Sequence, residues 1–436
     1  MTRMIAAVAV AWGCTLGVAA AAPVARPIVG FRVQGHSKVT RATLGYLAHV
    51  HVGDPVSDAD IPQLEEALIS SELFKTAVVT LEDGPDGITV VATVDDKLSW
   101  IAAPTIFVLP KNYAFGVGYG QSDLGGRAQK LLLYGQLGTH QNMALATLLD
   151  PSVHGSPLVY RVDLYLEQLQ LDEYANPPGD PRSTTIARTT RETFLDAGAL
   201  VGWNLAWWAV ADLRLRGAYV YFRDARDASG ALTTSPEKDG WDVSTQARLT
   251  LDHRAHRFGV TTGAYAQAML ETSVPELDSY GYGEGLARAF YSWELFDRQE
   301  LELRGTARAG IHLPIQDELA LGGVASLRGY PTERFRGDVI ALARAEYSVP
   351  ILTWSIFAFR ALGFADAGTA GFHFSRSRDR AYLSDQLGPS VLRTDVGVGL
   401  RVYVAAVVLP LLGIDLGYGI EGHSPEVYFE LGITDF

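Results

Sequence analysis

From Trp100 to the C-terminus, apolar and polar side chains alternate in stretch after stretch, with Gly, Pro, Asp and Asn between them. In the final segment Val427, Phe429, Leu431 and Ile433 occupy every second position before the chain ends on Phe436. A period of two sets one face of a strand against an apolar medium and the other elsewhere. Ala128 to Leu137, Leu158 to Leu169, Asp212 to Phe222, Asp242 to Asp252 and Leu301 to Ile311 carry the same pattern. Ser244, Gln246, Arg248, Thr250 and Asp252 are the polar members of one such stretch. Polar side chains at that spacing suit a wet lumen opposite a lipid face. A soluble β-sandwich also alternates, but its strands average about five or six residues. The stretches here run to about ten or more, the length of a tilted membrane strand.

Eleven candidate strands precede a long loop near residue 325, beginning with a weak one at Trp100 to Val108. Five follow it: Asp338 to Val349, Ile356 to Asp366, Leu392 to Val404, Leu411 to Tyr418 and Glu426 to Phe436. The total is even, as a closed bacterial barrel requires, at about 21 residues per strand and connection. The expected fold is therefore mostly β: a 16-stranded antiparallel transmembrane barrel over residues 99–436.

Residues 27–98 have a different period. The pattern predicts β-α-α-β-β: a strand over Ile28 to Gly35, a helix within Lys38 to His49, and a break at Gly53-Asp54-Pro55. A second helix, about Ala59 to Ser71, is capped by Ser57 or Asp58. Leu64, Leu68 and Ile69 share a face of it. Strands over Ala77 to Glu82 and Ile88 to Val94 flank a turn at Asp83 to Gly87. This is a small α+β domain.

Composition narrows the function. The net charge of −13 argues against a nucleic-acid partner. No span of about 20 apolar residues follows the N-terminus, which argues against helical membrane insertion. Val402 to Ile414 is broken by Pro410 and Gly413 and reads as two strands and a turn. Residues 1–22 read as a signal peptide: Arg3, an apolar Ile5 to Val18, then small residues Ala19 to Ala22. The single cysteine, Cys14, lies inside it, preceded by Ala11-Trp12-Gly13, which lacks the leucine of a lipobox. After cleavage no thiol remains for a disulfide, a zinc site or a nucleophile.

Three ordered motifs carry a resemblance. Leu321-Gly322-Gly323-Val324-Ala325-Ser326-Leu327-Arg328-Gly329-Tyr330 resembles the Arg-Gly-Tyr/Phe motif on the sixth extracellular loop of the BamA superfamily of outer-membrane assembly and secretion barrels. Gly363-Phe364-Ala365-Asp366-Ala367-Gly368 is similar to that family's Phe-x-Asp-x-Gly strand motif, and Ala345-Glu346-Tyr347-Ser348-Val349-Pro350 matches on the strand between. Gly118 to Arg127 resembles the family's early hairpin, with Ser122-Asp123 where an Asn is common. Residues 27–98 resemble a POTRA (polypeptide-transport-associated) domain through Gly35, Gly53, Ser70-Ser71-Glu72-Leu73-Phe74 and the terminal hairpin. The main assembly factors carry several such domains and two-partner secretion transporters usually two. One is expected here, so a short accessory or lineage-specific member is implied.

A loop folded back into a barrel needs an anchor. Arg328 offers a planar five-donor fork that keeps its charge. Asp366 is its expected acceptor on the strand wall and Glu346 a second candidate. Phe364, Asp366 and Gly368 share one face by period two. Gly322 and Gly323 let the loop turn and approach the wall. The bland alternative is a solvated loop arginine. The resemblance implies a protein that inserts or translocates polypeptides at the outer membrane without bond chemistry. It also implies a weak seam between the first and last strands, the latter bearing Tyr428 and the terminal Phe436. The domain of 27–98 would lie in the periplasm and guide substrate by a strand edge, with Ile88 to Val94 the candidate. Implied partners are unfolded or partly folded polypeptides, outer-membrane lipid and lipopolysaccharide, and accessory periplasmic proteins. The alternative is a passive channel or structural barrel that keeps the scaffold without the activity.

Other features carry no chemistry. Gly116 to Gly120 reads as strand glycines, since no helix starts there to make a dinucleotide site. His253 and His256 would point apart on a strand or turn, so no metal is expected. Neither Gly-x-Ser-x-Gly nor His-Glu-x-x-His occurs, so neither an enzyme nor a cofactor is expected. Trp203, Trp207 and Trp208 suit an interfacial girdle.

Overall fold

A computed structural model describes residues 25–174, 185–257, 260–355, 357–374, 391–404 and 407–431. The segment expected to be a signal peptide and Phe436 lie outside the described residues.

The chain begins with a small α+β region: β1 (Arg26–His36), α1 (Arg41–Leu47), β2 (Pro55–Val56), α2 (Ile61–Ser70), β3 (Phe74–Asp83) and β4 (Ile88–Asp96). Thr40 caps α1 by accepting from the Thr43 amide. Before α2, Ser57 and Asp60 form a capping box on a 3-10 turn. Leu64 and Leu68 of α2 pack with Ile28, Leu44, Phe74 and Val90 in one core, whereas Ile69 is 40% exposed and lies off that face. The four-stranded sheet runs β2-β1-β4-β3, with β1 and β4 parallel. β4 is thus an inner strand, and the expectation that Ile88 to Val94 offers a free edge is wrong. The long edge strand is β3. A parallel β1–β4 pair moves the last strand to the middle of the sheet, and this non-local pairing leaves no mark in local periodicity.

The remaining strands build the barrel. They begin with β5 (Trp100–Leu109), β6 (Asn112–Leu124), β7 (Gln129–Gly138), β8 (Gln141–Asp150), β9 (Leu158–Tyr174) and β10 (Ile186–Ala206). Next come β11 (Ala209–Asp227), β12 (Gly240–Asp252), β13 (Ala255–Arg257), β14 (Val260–Ser273), β15 (Gly283–Phe296) and β16 (Gln299–Ile311). The long loop carries a small hairpin, β17 (Leu319–Leu321) with β18 (Phe335–Gly337). It leads to β19 (Val339–Trp354), β20 (Phe357–Gly371), β21 (Arg393–Val404), β22 (Val407–Gly419) and β23 (Ser424–Leu431). β13 continues β12 along β14, so the closed antiparallel barrel has 16 strands, with eleven before the loop and five after it. Of Val402 to Ile414, the described residues fall on β21 and β22, which pair antiparallel, and the expected turn lies outside the described residues.

Alternation decides which side each residue faces. On β11, Leu213 and Leu215 point outward, while Asp212, Arg214 and Arg216 point into the lumen and pair there with Arg248, Asp163 and Asp242 respectively. A dry outer face and an ion-paired inner face are what lipid outside and water inside demand. β10 and β11 pair over nearly their whole length, from Arg188↔Asp227 to Ala206↔Ala209. They exceed the 9–11 residues or so needed to cross a bilayer and extend past the far rim.

The barrel closes where β23 meets β5. Among the described residues the pairs are Phe429↔Val108, Glu430↔Phe107 and Leu431↔Ile106. β5 ends at Leu109, so Ser424 to Val427 of β23 run past it.

The α+β region sits against the near rim. The Thr40 amide donates to Gly126 O at 2.9 Å across the β6–β7 turn, and Ala128 enters the region's core. At the end of β6, Asp123 accepts from the Ala128 amide at 2.7 Å across that turn. Trp203 faces outward, half exposed. The other two tryptophans pack on histidines: Trp207 on His49, with ring centroids 4.7 Å apart, and Trp208 on His253 at 4.8 Å.

Candidate functional site: the inward-folded loop

The loop between β16 and β19 turns back into the lumen, and its tip is buried: Leu327, Arg328 and Tyr330 are each at most 2% exposed. Its neck depends on two glycines. Gly322 (φ +115°) and Gly323 (φ +97°) adopt backbone conformations open to glycine. A Cβ on Gly322 would lie 2.1 Å from the carbonyl oxygen of Pro331. The Gly323 amide donates to the Leu327 and Tyr330 carbonyls, closing the turn that presents Arg328.

Arg328 forks onto Asp366 of β20. Nε donates to Oδ2 at 2.8 Å and Nη2 to Oδ1 at 3.0 Å. Its remaining nitrogen, Nη1, reaches Glu346 of β19 at 2.8 Å. The guanidinium lies over the Phe364 ring, 3.4 Å from its centroid. Planarity lets one side chain satisfy two carboxylates and stack at once, which an ammonium cannot do. Gly368 gives β17 room, since a Cβ there would come 3.0 Å from Leu321.

The tip also spans β21, β22 and β23. Gly329 lies over β22, where an added Cβ would be 2.3 Å from the Gly419 amide nitrogen. Gly417 faces Arg328 O as closely, and Gly419 faces Gly329 O. Tyr330 Oη donates to Glu421 at 2.5 Å, and its carbonyl accepts from Tyr428 Oη of β23 at 2.6 Å. The structure therefore brings together Arg328, Gly329, Tyr330, Glu346, Asp366 and Tyr428.

Sequence reasoning missed several partners. Asp415 of β22 lies 3.8 Å from Arg328 and forks with Arg401 at 2.7 and 2.8 Å. Asp395 of β21 is directly opposite Asp366 in the ladder and beneath Gly329. Both sit in glycine-rich strands whose alternating lumen positions (Asp395, Gly397, Gly399; Asp415, Gly417, Gly419) were the available signal. The loop has a second tether on the opposite wall, where Asp317 lies 3.6 Å from Arg216. Nearby, Ile315 packs with Leu171, Val220 and Phe222.

The description "Omp85 superfamily domain" matches residues 123–434, most of the chain. The protein belongs to the Omp85 superfamily. As such it is an outer-membrane β-barrel. No curated relative matches its sequence. Among solved structures it is similar to BamA from Haemophilus ducreyi lacking POTRA domains 1–3, with TM-score 0.60 and 13% identity, over 93% of this chain and 84% of that one. It is also similar to CdiB from Escherichia coli, with TM-score 0.61 and 12% identity, over 93% and 76%. At these identities the likeness is one of fold. CdiB from Acinetobacter baumannii gives the same picture, with TM-score 0.57, 12% identity and 94% and 74% coverage.

Proposed function

We propose that this Omp85-superfamily barrel inserts polypeptides into the outer membrane or moves them across it. Residues 27–98 act as a single periplasmic POTRA domain ahead of the barrel of 99–436. The carrying observation is the fork of Arg328 on Asp366 inside a barrel of this superfamily. In this reading the pair, with Glu346, anchors the loop and sets the barrel's shape, and Gly322, Gly323, Gly329 and Gly368 admit it. The β23–β5 contact, on the strand that bears Tyr428, is the seam that opens. An opened seam presents unpaired backbone groups that template an incoming strand. The POTRA edge that receives substrate is β3. A lumen occupied by a buried loop tip favours this reading over a passive channel.

Depletion in cells tests it. The expected result is a fall in outer-membrane or secreted protein levels. Unchanged protein levels together with reduced small-solute permeability would overturn the translocase reading in favour of the channel.

A further inference from the structure

The near half of the lumen wall, between the α+β region and the loop tip, carries a chain of stacked cations and rings. Arg288 of β15 lies over the Tyr265 ring at 5.4 Å and donates to its hydroxyl at 3.0 Å. Arg254 lies over Tyr265 at 4.5 Å and over Phe290 at 5.7 Å. Arg304 lies over Phe290 at 5.4 Å. In the ladder Phe290 is opposite Tyr265 on one side and Arg304 on the other, and Arg304 is opposite Arg344. The order around the wall is therefore two rings, then two arginines face to face.

Like charges directly opposite each other on neighbouring strands are unfavourable unless something offsets them. Here the offset is partial. Arg254 pairs with Asp252 at 2.7 Å and Arg304 with Glu302, but Arg344 shares Asp366, at 3.3 Å, with Arg328. Among the described residues Arg288 has no carboxylate at ion-pair distance, and it is exposed to the lumen. Stacking on rings holds guanidinium planes extended before any ligand arrives, so less side-chain freedom is lost on binding. The wall thus carries a row of pre-ordered guanidinium groups beside the opposed pair Glu302 and Glu346, and Arg288 is the one of the four without a carboxylate partner among the described residues.

We propose that this wall, centred on Arg288 and Arg304, binds the carboxylates of an acidic, extended polypeptide segment in the lumen. This rests on the polypeptide-handling reading above and adds a substrate preference to it. Guanidinium forks match carboxylate geometry, and Tyr265 and Phe290, whose faces the arginines cover, hold those forks in place. A polypeptide is favoured over a lipid phosphate because the cations are spread over several strands facing the lumen rather than gathered on the lipid side.

The test uses the full chain in detergent micelles and labelled peptides of about twelve alternating serine and glutamate residues, roughly 40 Å when extended. Lysine replaces glutamate in the control peptide, and inorganic phosphate serves as competitor. Fluorescence anisotropy should show the acidic peptide binding at least about tenfold tighter than the lysine peptide, and more weakly as salt rises. Arg288→Gln and Arg304→Gln should each weaken it about fivefold. Thr306→Glu, opposite Arg288 in the ladder, should do the same without removing an arginine, which covers the case where an arginine variant fails to fold. Equal binding of both peptides, indifference to all three substitutions, or displacement by phosphate at equal charge concentration would each overturn the proposal. Arg288-dependent binding in a protein whose depletion leaves protein levels unchanged would keep the wall and lose the translocase. A depletion defect without such binding would do the reverse.

Discussion

Tyr428, on the last described strand, donates its phenol proton to the main-chain carbonyl of Tyr330 at the loop tip, 2.6 Å away. The bond ties the strand at the barrel's closure to the loop that fills its lumen. Both residues are at most 2% exposed, so neither group has ready access to bulk water.

Tyr428→Phe removes the hydroxyl and leaves a buried carbonyl with one partner fewer. The expected cost is about 1–3 kcal/mol. Hydrogen exchange should find it locally, as faster exchange of the Gly323 amide, which donates to that same Tyr330 carbonyl. Unaltered exchange there would mean the phenol contributes nothing to holding the tip.

Arg328→Ala and Asp366→Ala each leave a buried partner charge, and breaking such a pair costs about 3–5 kcal/mol. Denaturant midpoints, with protein levels after complementation, should show equal defects that are not additive in the double variant. Arg328→Lys should rescue little, since an ammonium cannot fork to Asp366, reach Glu346 and stack on Phe364 together. Additive defects would show that the two residues act separately.

Gly329→Ala addresses space rather than charge. Its Cβ would sit 2.3 Å from backbone nitrogen that has little freedom to move. The tip should fail to seat although Arg328 is intact, and proteolysis of the loop in the folded barrel should accelerate. Resistance equal to wild type would show that the loop can pass β22 with a side chain between them.

Much of the barrel was legible because lipid imposes a period of two on each strand separately, as Leu301 to Ile311 shows. The Arg328–Asp366 pairing was legible because both residues sit in recognisable motifs. What the sequence hid was set by long-range geometry. Asp317 meets Arg216 across the lumen, about a hundred residues earlier in the chain, with no motif at either end. β4 reads like any terminal hairpin strand, and only its parallel pairing with β1 makes it central. Ile69 matched the apolar face of α2 by type, yet the helix turns it outward.

The free edge of β3 makes a further prediction. Glu65 of α2 accepts from the outward Val79 amide at 2.9 Å, so alternate β3 amides point away from β4. Ala77 shares that phase. Ala77→Pro should delete an outward donor while sparing the β3–β4 ladder, as proline is tolerated on the open side of an edge strand. Substrate crosslinks to the domain should fall while its thermal unfolding stays near wild type. Crosslinks unchanged in a folded variant would move the substrate site elsewhere on the domain.

His49 joins the α+β region to the barrel at a conformational cost. It ends α1 with φ 59°, its amide bonding Tyr46 O and the Val50 amide bonding Gly45 O, a C-cap in which glycine is the usual residue. An L-residue there gives up about 1–2 kcal/mol, whereas an aromatic stack is worth about 0.5–1.5 kcal/mol. The contact with Trp207 therefore offsets only part of the cost of the cap. Desolvation of the ring where it packs on Trp207 holds its pKa below the ordinary value of 6.5, although the residue keeps an exposed side. The undocked state then binds the proton more readily, so docking is strongest above pH 6.5 and weakens as pH falls through 6.5 toward the depressed pKa. His49→Gly should relax the cap, loosen the domain from the rim and abolish that pH dependence. Hydrogen exchange at the Thr40 amide, bonded to Gly126 across the same junction, reports the loosening. Tryptophan fluorescence of wild type minus variant, followed between about pH 5 and 8, reports the titration. A junction equally tight at both ends of that range in wild type would show that His49 packs there without sensing protons.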